Sequence, residues 1–478
     1  MSSADVASLG PLLMIAATAI LVMIGIAFHR NHALAVTLTL AGLGLAFISI
    51  FAAPAPRRIT SLFVMDGFAL FYLGLIIASA AFVVLISIQY FRTHGADREE
   101  LYLLLLLATL GCAVLVVSSH FMSFVLGLEI LSVSLYGVVA YSKDRVHVLE
   151  AGMKYLVLAS ASAAFLLFGL ALIYCSTGTM EFAQLRQLPP SASSFPLLIA
   201  GMVLTITGIG FKLGIVPFHL WIADVYQGAP APVTAYVGTT SKTAVAAFLF
   251  RYAYFSVASD HRVIVVVFAI MAVASMLAGN LLALRQQSIK RILAYSSIAH
   301  FGYILVGFLS GGSGAIEAVT FYLVSYTVTI LSAFGIVAIL SNADSDADNL
   351  DSYSGLFWRR PLLATFLTAA VLSLAGIPAT IGFIGKFYVL SAAAEGGSWL
   401  LMMVLATTSV IGLFYYLRIV VKLYESAPDD QTPIPAISAI SVLPIAVAGV
   451  LVVWLGIFPA QVLGWIRIAM VMFNHPFD

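Results

Sequence analysis

Long apolar runs separated by short polar or turn segments recur along the whole chain. Each run is long enough for an α-helix to cross a bilayer, which takes about 20 apolar residues. The pattern therefore predicts an all-α polytopic membrane protein with about 14 transmembrane helices. The fourteen runs lie at about 10–28, 34–53, 64–90, 101–118, 121–141, 151–175, 195–216, 230–254, 263–284, 290–311, 315–341, 361–393, 398–422 and 436–463.

Two stretches need a further interpretation. The stretch 101–141 is about twice one span, and the polar tripeptide SSH at 118–120, near its middle, predicts that the chain folds back there. The run 361–393 carries GIP at 376–378 in its middle. Because proline removes a helical hydrogen bond, this run is predicted to be one interrupted helix.

Composition excludes several classes of protein. Of the 478 residues, 62% are hydrophobic and 9% are charged, whereas a soluble domain has roughly 25% charged residues. A net charge of +1 offers no basic face for nucleic acid. Cys112 and Cys175 form no CxxC and no ligand cluster, so neither an iron–sulfur centre nor a disulfide is predicted. The N-terminal segment lacks the basic residues of a cleaved signal peptide.

The distribution of Lys and Arg predicts the orientation. Numbered in order, the odd connections and their helix ends hold twelve Lys and Arg, and the even ones hold five. Because cytoplasmic loops carry the excess of positive charge, the odd connections are predicted to be cytoplasmic and both termini periplasmic.

An internal repeat is visible in the chain. EAGMKYLV at 150–157 and EAVTFYLV at 317–324 share E-A-x-x-x-Y-L-V at an offset of 167, and Tyr136 meets Tyr303 at the same offset. The copies are five spans apart, so corresponding helices cross in opposite directions. This is the pattern of inverted-repeat transporters, whose working sites lie at interrupted helices. The alternative is chance similarity among residues that are common in membrane helices.

Four of the seven lysines fall inside predicted spans, whereas none of the fifteen arginines falls near the middle of a span. Arginine stays protonated in proteins, whereas a buried lysine can release its proton. A charge inside the membrane costs at least about 2.5–3.5 kcal/mol, so a group of them indicates function. The pattern predicts proton transfer through Lys154, Lys212, Lys242 and Lys386.

Glu129, His219 and His300 extend this candidate set, and Glu129 is the only acid near the middle of a span. Lys212 and Lys386 lie beside predicted helix breaks, where freed carbonyls need water or polar partners. His219 follows Lys212 by seven residues, about two turns, which fits a relay if the helix resumes after the proline.

Each of these residues also has a purely structural interpretation. Lys154 lies near the start of its span, where a lysine can extend to the interface. The deeper lysines and Glu129 can form salt bridges that only fix helix packing. His300 can simply hydrogen-bond to a neighbouring helix.

Several motifs resemble the proton-conducting membrane module shared by respiratory complex I and cation/proton antiporters. The resemblance covers about residues 60–425. It rests on FKLGIVPFHLWIAD at 211–224, GAPAPVT at 228–234, SK at 241–242, KRILAYSSIAHFGY at 290–303 and AGIPATIGFIGK at 375–386.

The resemblance implies fourteen helices, two inverted five-helix repeats and both termini outside. The chain would then consist of helices 1–3 at 1–100, a first repeat at 101–254, a second repeat at 263–425, and a last helix with a short tail at 436–478. The residue roles that it implies are Glu129 pairing with Lys212, Lys242 as the connecting lysine, His300 as the central histidine, Lys386 as the terminal lysine and Lys154 near the entrance.

The resemblance also implies partners. The chain itself would hold no cofactor, and FMN, iron–sulfur clusters and quinone would belong to partner subunits in the membrane and peripheral arms of complex I. The location would be the bacterial inner membrane. The AHFGY motif, lysine rather than glutamate at position 386 and the short tail favour one complex I subunit over the other antiporter-like subunits. A multi-protein Na⁺/H⁺ antiporter subunit and an assembly scaffold are the alternatives.

Overall fold

The computed structural model describes residues 2–54, 56–93, 99–142, 146–185, 195–255, 262–311, 313–342, 345–426 and 439–474. The helices up to the first break are α1 (Ser3–Ser8), α2 (Gly10–Phe28), α3 (His32–Ala52), α4 (Gly67–Thr93), α5 (Glu99–Val117), α6 (Phe121–Val139), α7 (Val146–Thr177), α8 (Phe182–Leu185) and α9 (Phe195–Leu213).

The second part of the chain is helical in the same way. A π-helical turn, Val237–Ser241, joins two of its helices, and a 3₁₀ turn occupies Leu350–Tyr353. The helices are α10 (Leu220–Gly228), α11 (Ala231–Tyr236), α12 (Lys242–Phe255), α13 (Arg262–Ala283), α14 (Ile289–Ser310), α15 (Ser313–Leu340), α16 (Leu356–Arg359), α17 (Pro361–Ala375), α18 (Ile381–Glu395), α19 (Trp399–Tyr424), α20 (Ala439–Ile457) and α21 (Ala460–Asn474).

The helices confirm the membrane architecture predicted from the apolar runs. Within the described ranges, twelve single helices are long and apolar enough to cross a bilayer. Two further crossings are composite, since α11 and α12 continue through the π turn and α17 is followed by α18. The apolar runs thus predicted the number of crossings because hydropathy is a local property of the chain.

The predicted fold-back and interruption are both present. α5 ends at Val117 and α6 begins at Phe121, with the His120 ring accepting a hydrogen bond from the Met122 N–H at 3.1 Å. α17 ends before Gly376, which has φ +85°, a conformation that glycine adopts without the steric cost of a side chain.

Two elements differ from the expectation of plain spans and loops. A short antiparallel hairpin pairs strands β1 (Arg57–Ile59) and β2 (Phe63–Met65) in the second connection. The last apolar run is not one helix, because α20 ends at Ile457 and the predicted tail is helical as α21. α21 packs against α4 and α15, so its helical structure depends on tertiary contact that hydropathy does not describe.

Ion pairs support the alternation of crossings. We call the membrane side of the odd connections the odd side and the other the even side. Each of four pairs joins segments on a single side: Arg30–Glu100 and Arg291–Asp224 on the odd side, and Arg58–Glu181 and Arg467–Glu317 on the even side.

Of the charges used to predict the orientation, Arg98, Lys143, Arg145 and Arg186 lie outside the described residues.

The centre of the bundle is formed by α14 and α15. Nearly all residues of both helices are buried, whereas α2, α3 and α7 expose apolar faces suited to lipid. Polar side chains on α14 and α15 are therefore enclosed by protein and must find protein or water partners.

Candidate functional site

Lys212 lies at the end of the first half of a broken helix. The residue after α9 is Gly214, with φ +71°, and the helix resumes only at α10. The buried Lys212 Nζ donates to Ser132 Oγ at 2.7 Å and lies 5.8 and 5.5 Å from the ring centroids of Tyr136 and Tyr155. A hydroxyl and two aromatic faces thus stabilise this ammonium in the bundle.

Glu129 approaches Lys212 indirectly. It is half-buried in the middle of α6, one helical turn before Ser132. Among the described residues, no carboxylate oxygen of Glu129 lies within 4.0 Å of the Lys212 ammonium. The pairing of Glu129 with Lys212 that the resemblance implies is therefore not a direct ion pair, and Lys212 contacts the next turn of the same helix.

Lys242 begins α12 directly after the π turn and is 0% exposed. Its Nζ donates to Ser297 Oγ at 2.7 Å and lies 5.6 Å from the Tyr226 ring centroid and 4.8 Å from that of Phe301. A Cβ at Gly214 would lie 3.5 Å from the same Nζ. The helix break after Lys212 therefore lies next to the ammonium of Lys242.

One face of α14 continues from Lys242 toward Lys386 and the second break. Ser297, His300 and Tyr303 follow each other at intervals of three residues and so share this face. His300 Nδ1 lies 2.6 Å from the Tyr322 hydroxyl, and Nε2 lies 3.1 Å from that of Tyr416. Both ring nitrogens therefore have a hydroxyl partner, so the histidine is embedded in a hydrogen-bonded chain.

Lys386 lies on α18, the half-helix that follows the second break. Its Nζ donates to the carbonyls of Leu374 at 2.9 Å and Ala375 at 3.0 Å, and to Ser409 Oγ at 2.7 Å. The Tyr303 ring centroid lies 5.2 Å away. The helix break leaves these two carbonyls without helical partners, so they can accept from Lys386. This contact compensates for the cost of burying the carbonyls and the ammonium.

The two lysines beside the breaks lie on different sides of their breaks along the chain. Lys212 precedes its break and Lys386 follows its own. Because the seventh and twelfth spans cross in opposite directions, both lysines belong to the half-helix on the even side. The repeated tyrosines keep their relation to them, since Tyr136 faces Lys212 and Tyr303 faces Lys386.

Lys154 does not join this buried line. Its side chain is 45% exposed and pairs with Glu150 at 2.8 Å and with Asp224 at 2.9 Å. Asp224 also pairs with Arg291 at 2.9 Å, so this cluster connects α7, α10 and α14 near the odd side. The contacts of Lys154 are those of a surface ion pair.

The helical relay expected between Lys212 and His219 is not present. The six residues 214–219 between α9 and α10 are not helical, so a spacing of seven does not place the two side chains on one helix face. His219 instead occupies the N-cap position of α10. Its Nδ1 is buried and has no hydrogen-bond partner among the described residues.

Sequence reasoning missed two buried ion pairs. Arg251 and Asp66 are both 0% exposed and form a two-pronged pair with both distances 2.8 Å. Lys290 Nζ lies 2.6 Å from Asp346 Oδ2, and its side chain is 1% exposed. Asp66, Arg251 and Lys290 lie at the ends of apolar runs and Asp346 lies in a polar connection, where hydropathy alone does not distinguish an exposed charge from an enclosed one.

The three deepest lysines share one chemical environment. Each ammonium donates to a serine hydroxyl, and a hydroxyl can both accept and donate a proton. The line formed by Lys212, Lys242 and Lys386, together with the hydroxyls along α14, can therefore pass protons through the bundle. Within the described part of the chain, no three His, Cys, Asp or Glu side chains are grouped as metal ligands.

Comparisons with known proteins show consistent matches. Residues 118–450 match the family model described as NADH:quinone oxidoreductase/Mrp antiporter, TM. A chain of respiratory complex I from Thermus thermophilus is 31% identical, with 95% of this chain and 98% of that chain covered and a TM-score of 0.82.

Two further solved structures are similar in fold. A chain of the Mrp complex from a Dietzia species is 22% identical, with 99% and 98% covered and a TM-score of 0.86. A chain of the membrane-bound sulfane sulfur reductase, an archaeal respiratory membrane complex, is 24% identical, with 98% and 97% covered and a TM-score of 0.85.

Proposed function

The chain belongs to the family of antiporter-like, proton-translocating membrane subunits of complex I and Mrp-type complexes, and from this premise we propose that it is subunit N of a bacterial NADH:quinone oxidoreductase. The observation that carries the proton-transport part of the proposal is the buried line of Lys212, Lys242 and Lys386, each bonded to a serine hydroxyl. Lysine suits proton transfer because it exists in both protonation states when buried.

Protons move along this line through hydroxyls and water. Glu129 supplies a negative charge one turn from the acceptor of Lys212, so a change in its charge alters how readily Lys212 holds its proton. Lys242 receives the proton at the first break, and His300 with its tyrosine partners connects it to Lys386.

The redox chemistry belongs to other subunits in this proposal. FMN, iron–sulfur clusters and quinone lie in the peripheral-arm and neighbouring membrane-arm subunits, and proton movement through this chain is coupled to their redox reaction. The complex lies in the bacterial inner membrane with both termini of this chain periplasmic. Reporter fusions at each terminus test that orientation, and activity of a cytoplasm-specific reporter at either end contradicts it.

Sequence identity supports complex I over the antiporter assignment. The Thermus thermophilus complex I chain is 31% identical, against 22% for the Mrp chain. The AHFGY motif at 299–303 and the lysine at position 386 point to the same subunit. His300 and Tyr303 of that motif both face the buried line, so the resemblance lies in residues that carry the proposed chemistry.

A subunit of a multi-protein Na⁺/H⁺ antiporter is the second candidate. The fold similarity to the Mrp chain supports it, with 99% of this chain covered and a TM-score of 0.86. The two candidates differ in what drives transport. An assembled complex that exchanges Na⁺ for protons without NADH oxidation and without bound flavin would support the antiporter.

The proposed function is tested with Lys242→Ala in the assembled complex. We expect NADH-driven proton transport in membrane vesicles to be lost while the complex still assembles. Lys422→Ala is the matched control, because Lys422 lies near the odd side with Asp351 and Glu425 as partners and is expected to keep wild-type transport. Wild-type transport in assembled Lys242→Ala complex contradicts the proposal.

A further inference from the structure

A fourth buried lysine, Lys290, lies on α14, the helix that carries the acceptor of Lys242. Lys290 is in the first turn of α14, seven residues before Ser297, and two turns along a helix return to the same face about 10 Å away. Resting on the function proposed above, we propose that Lys290 and Asp346 form the site that takes up protons from the odd side and delivers them to Lys242.

The pair joins the aqueous surface to the interior. Asp346 lies in the connection between α15 and the 3₁₀ turn, its side chain is 9% exposed, and the neighbouring Ser345 is exposed. Asp346 Oδ1 also accepts from the Tyr90 hydroxyl at 2.5 Å. Asp346 thus belongs to a connection that reaches the surface, and its carboxylate binds the buried lysine.

A polar path leads inward from Lys290. Its Nζ donates to the Ala229 carbonyl at 2.7 Å, and Tyr226 lies one turn earlier on α10. The Tyr226 ring lies 5.6 Å from Lys242 Nζ, and its buried hydroxyl interacts with Ser297, the acceptor of Lys242. Tyr226 and Ala229 thus connect Lys290 to the surroundings of Lys242 through one short stretch of chain.

The same loop fixes the start of α14. Asp348 accepts hydrogen bonds from the Ser288 hydroxyl and from the Lys290 backbone N–H, and its carbonyl accepts from the Ile289 N–H at 2.7 Å. Gln227 Nε2 also donates to the Asp348 carboxylate at 2.8 Å. The segment that carries Asp346 is thereby held against both α10 and α14, so the ion pair is positioned by hydrogen bonds around it.

The choice of lysine distinguishes this pair from the other buried one. Arg251–Asp66, toward the even side, is equally enclosed but uses arginine, which keeps its proton under any protein condition. A buried ion pair that only fixes packing can use either residue. Lysine at position 290 leaves proton release open.

The proton count closes over one cycle. Lys290 gives a proton inward to neutral Lys242 and becomes a neutral amine. A proton from the odd side binds the Asp346 carboxylate and then passes to the Lys290 amine, which restores the ion pair. One proton enters and one reaches Lys242, with no other reactant.

Reciprocal swaps at the two buried pairs test the proposal in the assembled complex. Lys290→Arg keeps the charge and the ion pair but removes proton release, so it is expected to lose NADH-driven proton transport to the same extent as Lys242→Ala. Arg251→Lys is the matched control and is expected to keep wild-type transport per assembled complex. The Asn side chain of Asp346→Asn cannot bind a proton, so this variant is expected to lose proton transport as Lys290→Arg does. If Lys290→Arg does not assemble, transport by the Asp346→Asn complex tests the proposal in its place.

The outcomes separate this proposal from the one on which it rests. Wild-type transport per assembled complex in Lys290→Arg overturns the uptake site. A parallel loss in Lys290→Arg and Arg251→Lys overturns it too, since both pairs would then act through packing alone. Wild-type transport in Lys242→Ala instead overturns the proposed function.

Discussion

The ammonium nitrogen of Lys386 lies 2.9 Å from the carbonyl oxygen of Leu374, twelve residues earlier in the chain. The break after α17 brings the two together, because the chain turns at Gly376 and α18 returns the lysine to the end of α17. A broken helix and its lysine thus satisfy each other in an interior where neither could be left unpaired.

Gly376→Ala tests this arrangement. At φ +85° a side chain is strained, at a cost of roughly 1–2 kcal/mol, and the new Cβ would lie 2.9 Å from Lys386 Cδ and 3.2 Å from its Nζ. We expect displacement of the ammonium and loss of most proton transport in vesicles. Gly397→Ala is the control, because Gly397 has φ +70° but no atom within 4 Å of the added Cβ. Equal effects of the two substitutions would show that only backbone strain matters.

Ser132→Ala removes the hydroxyl that accepts from Lys212. A hydrogen bond to a charged group contributes roughly 1.5–3 kcal/mol, so we expect proton transport to fall by roughly 10-fold or more. Ser134→Ala is the matched variant on the same helix, since Ser134 Oγ donates only to the Ile130 carbonyl among the contacts described. Transport rates per assembled complex compare the two, and unchanged transport in Ser132→Ala would exclude the hydroxyl from the path.

Asp66→Asn leaves the Arg251 guanidinium buried without its counter-charge. Removing one partner of a buried pair costs roughly 3–5 kcal/mol, so we expect a clear loss of thermal stability and of assembled complex. Glu181→Gln breaks the more exposed Arg58 pair and is expected to cost about 0–1 kcal/mol. Melting of the purified complex measures both. Transport per surviving Asp66→Asn complex should stay at the wild-type value, and a selective loss of transport would instead place this pair in the proton path.

Lys154 is expected to act through its ion pairs. Lys154→Arg keeps the charge beside Glu150 and Asp224, so proton transport should remain within about twofold of wild type, because exposed pairs contribute only about 0–1 kcal/mol. Lys242→Arg is the comparison, since its side chain is fully buried and is expected to lose transport. If Lys154→Arg loses transport as Lys242→Arg does, Lys154 carries protons after all.

Much of the fold was predictable because hydropathy and proline are local signals. The run 361–393 predicted an interrupted helix, and the stretch 101–141 predicted a fold-back, at positions where the structure has both. The π turn before Lys242 carried no such signal, because its residues are apolar or small like those of the helices on either side. Single π-helical turns inside α-helices frequently occur at functional sites.

The candidate site was predictable in its charges but not in their partners. Lys212, Lys242 and Lys386 stand out in the sequence because ionisable residues are rare in apolar runs. Ser132, Ser297 and Ser409 do not stand out, since serine is common in such helices. Only the packing of α6, α14 and α19 against the lysine-bearing helices shows which hydroxyls meet the ammonium groups.

By itself, the sequence determined the solvent of this protein, the number of crossings, the broken helices and the lysines that lie deep in them. These depend on composition and on spacing along one chain segment. The tertiary structure decided that Lys212 meets Ser132 rather than Glu129, that Lys154 is exposed and that Lys290 is enclosed with Asp346. Those outcomes depend on which helix faces meet across the bundle, and such contacts are set by packing between segments that are distant in the sequence.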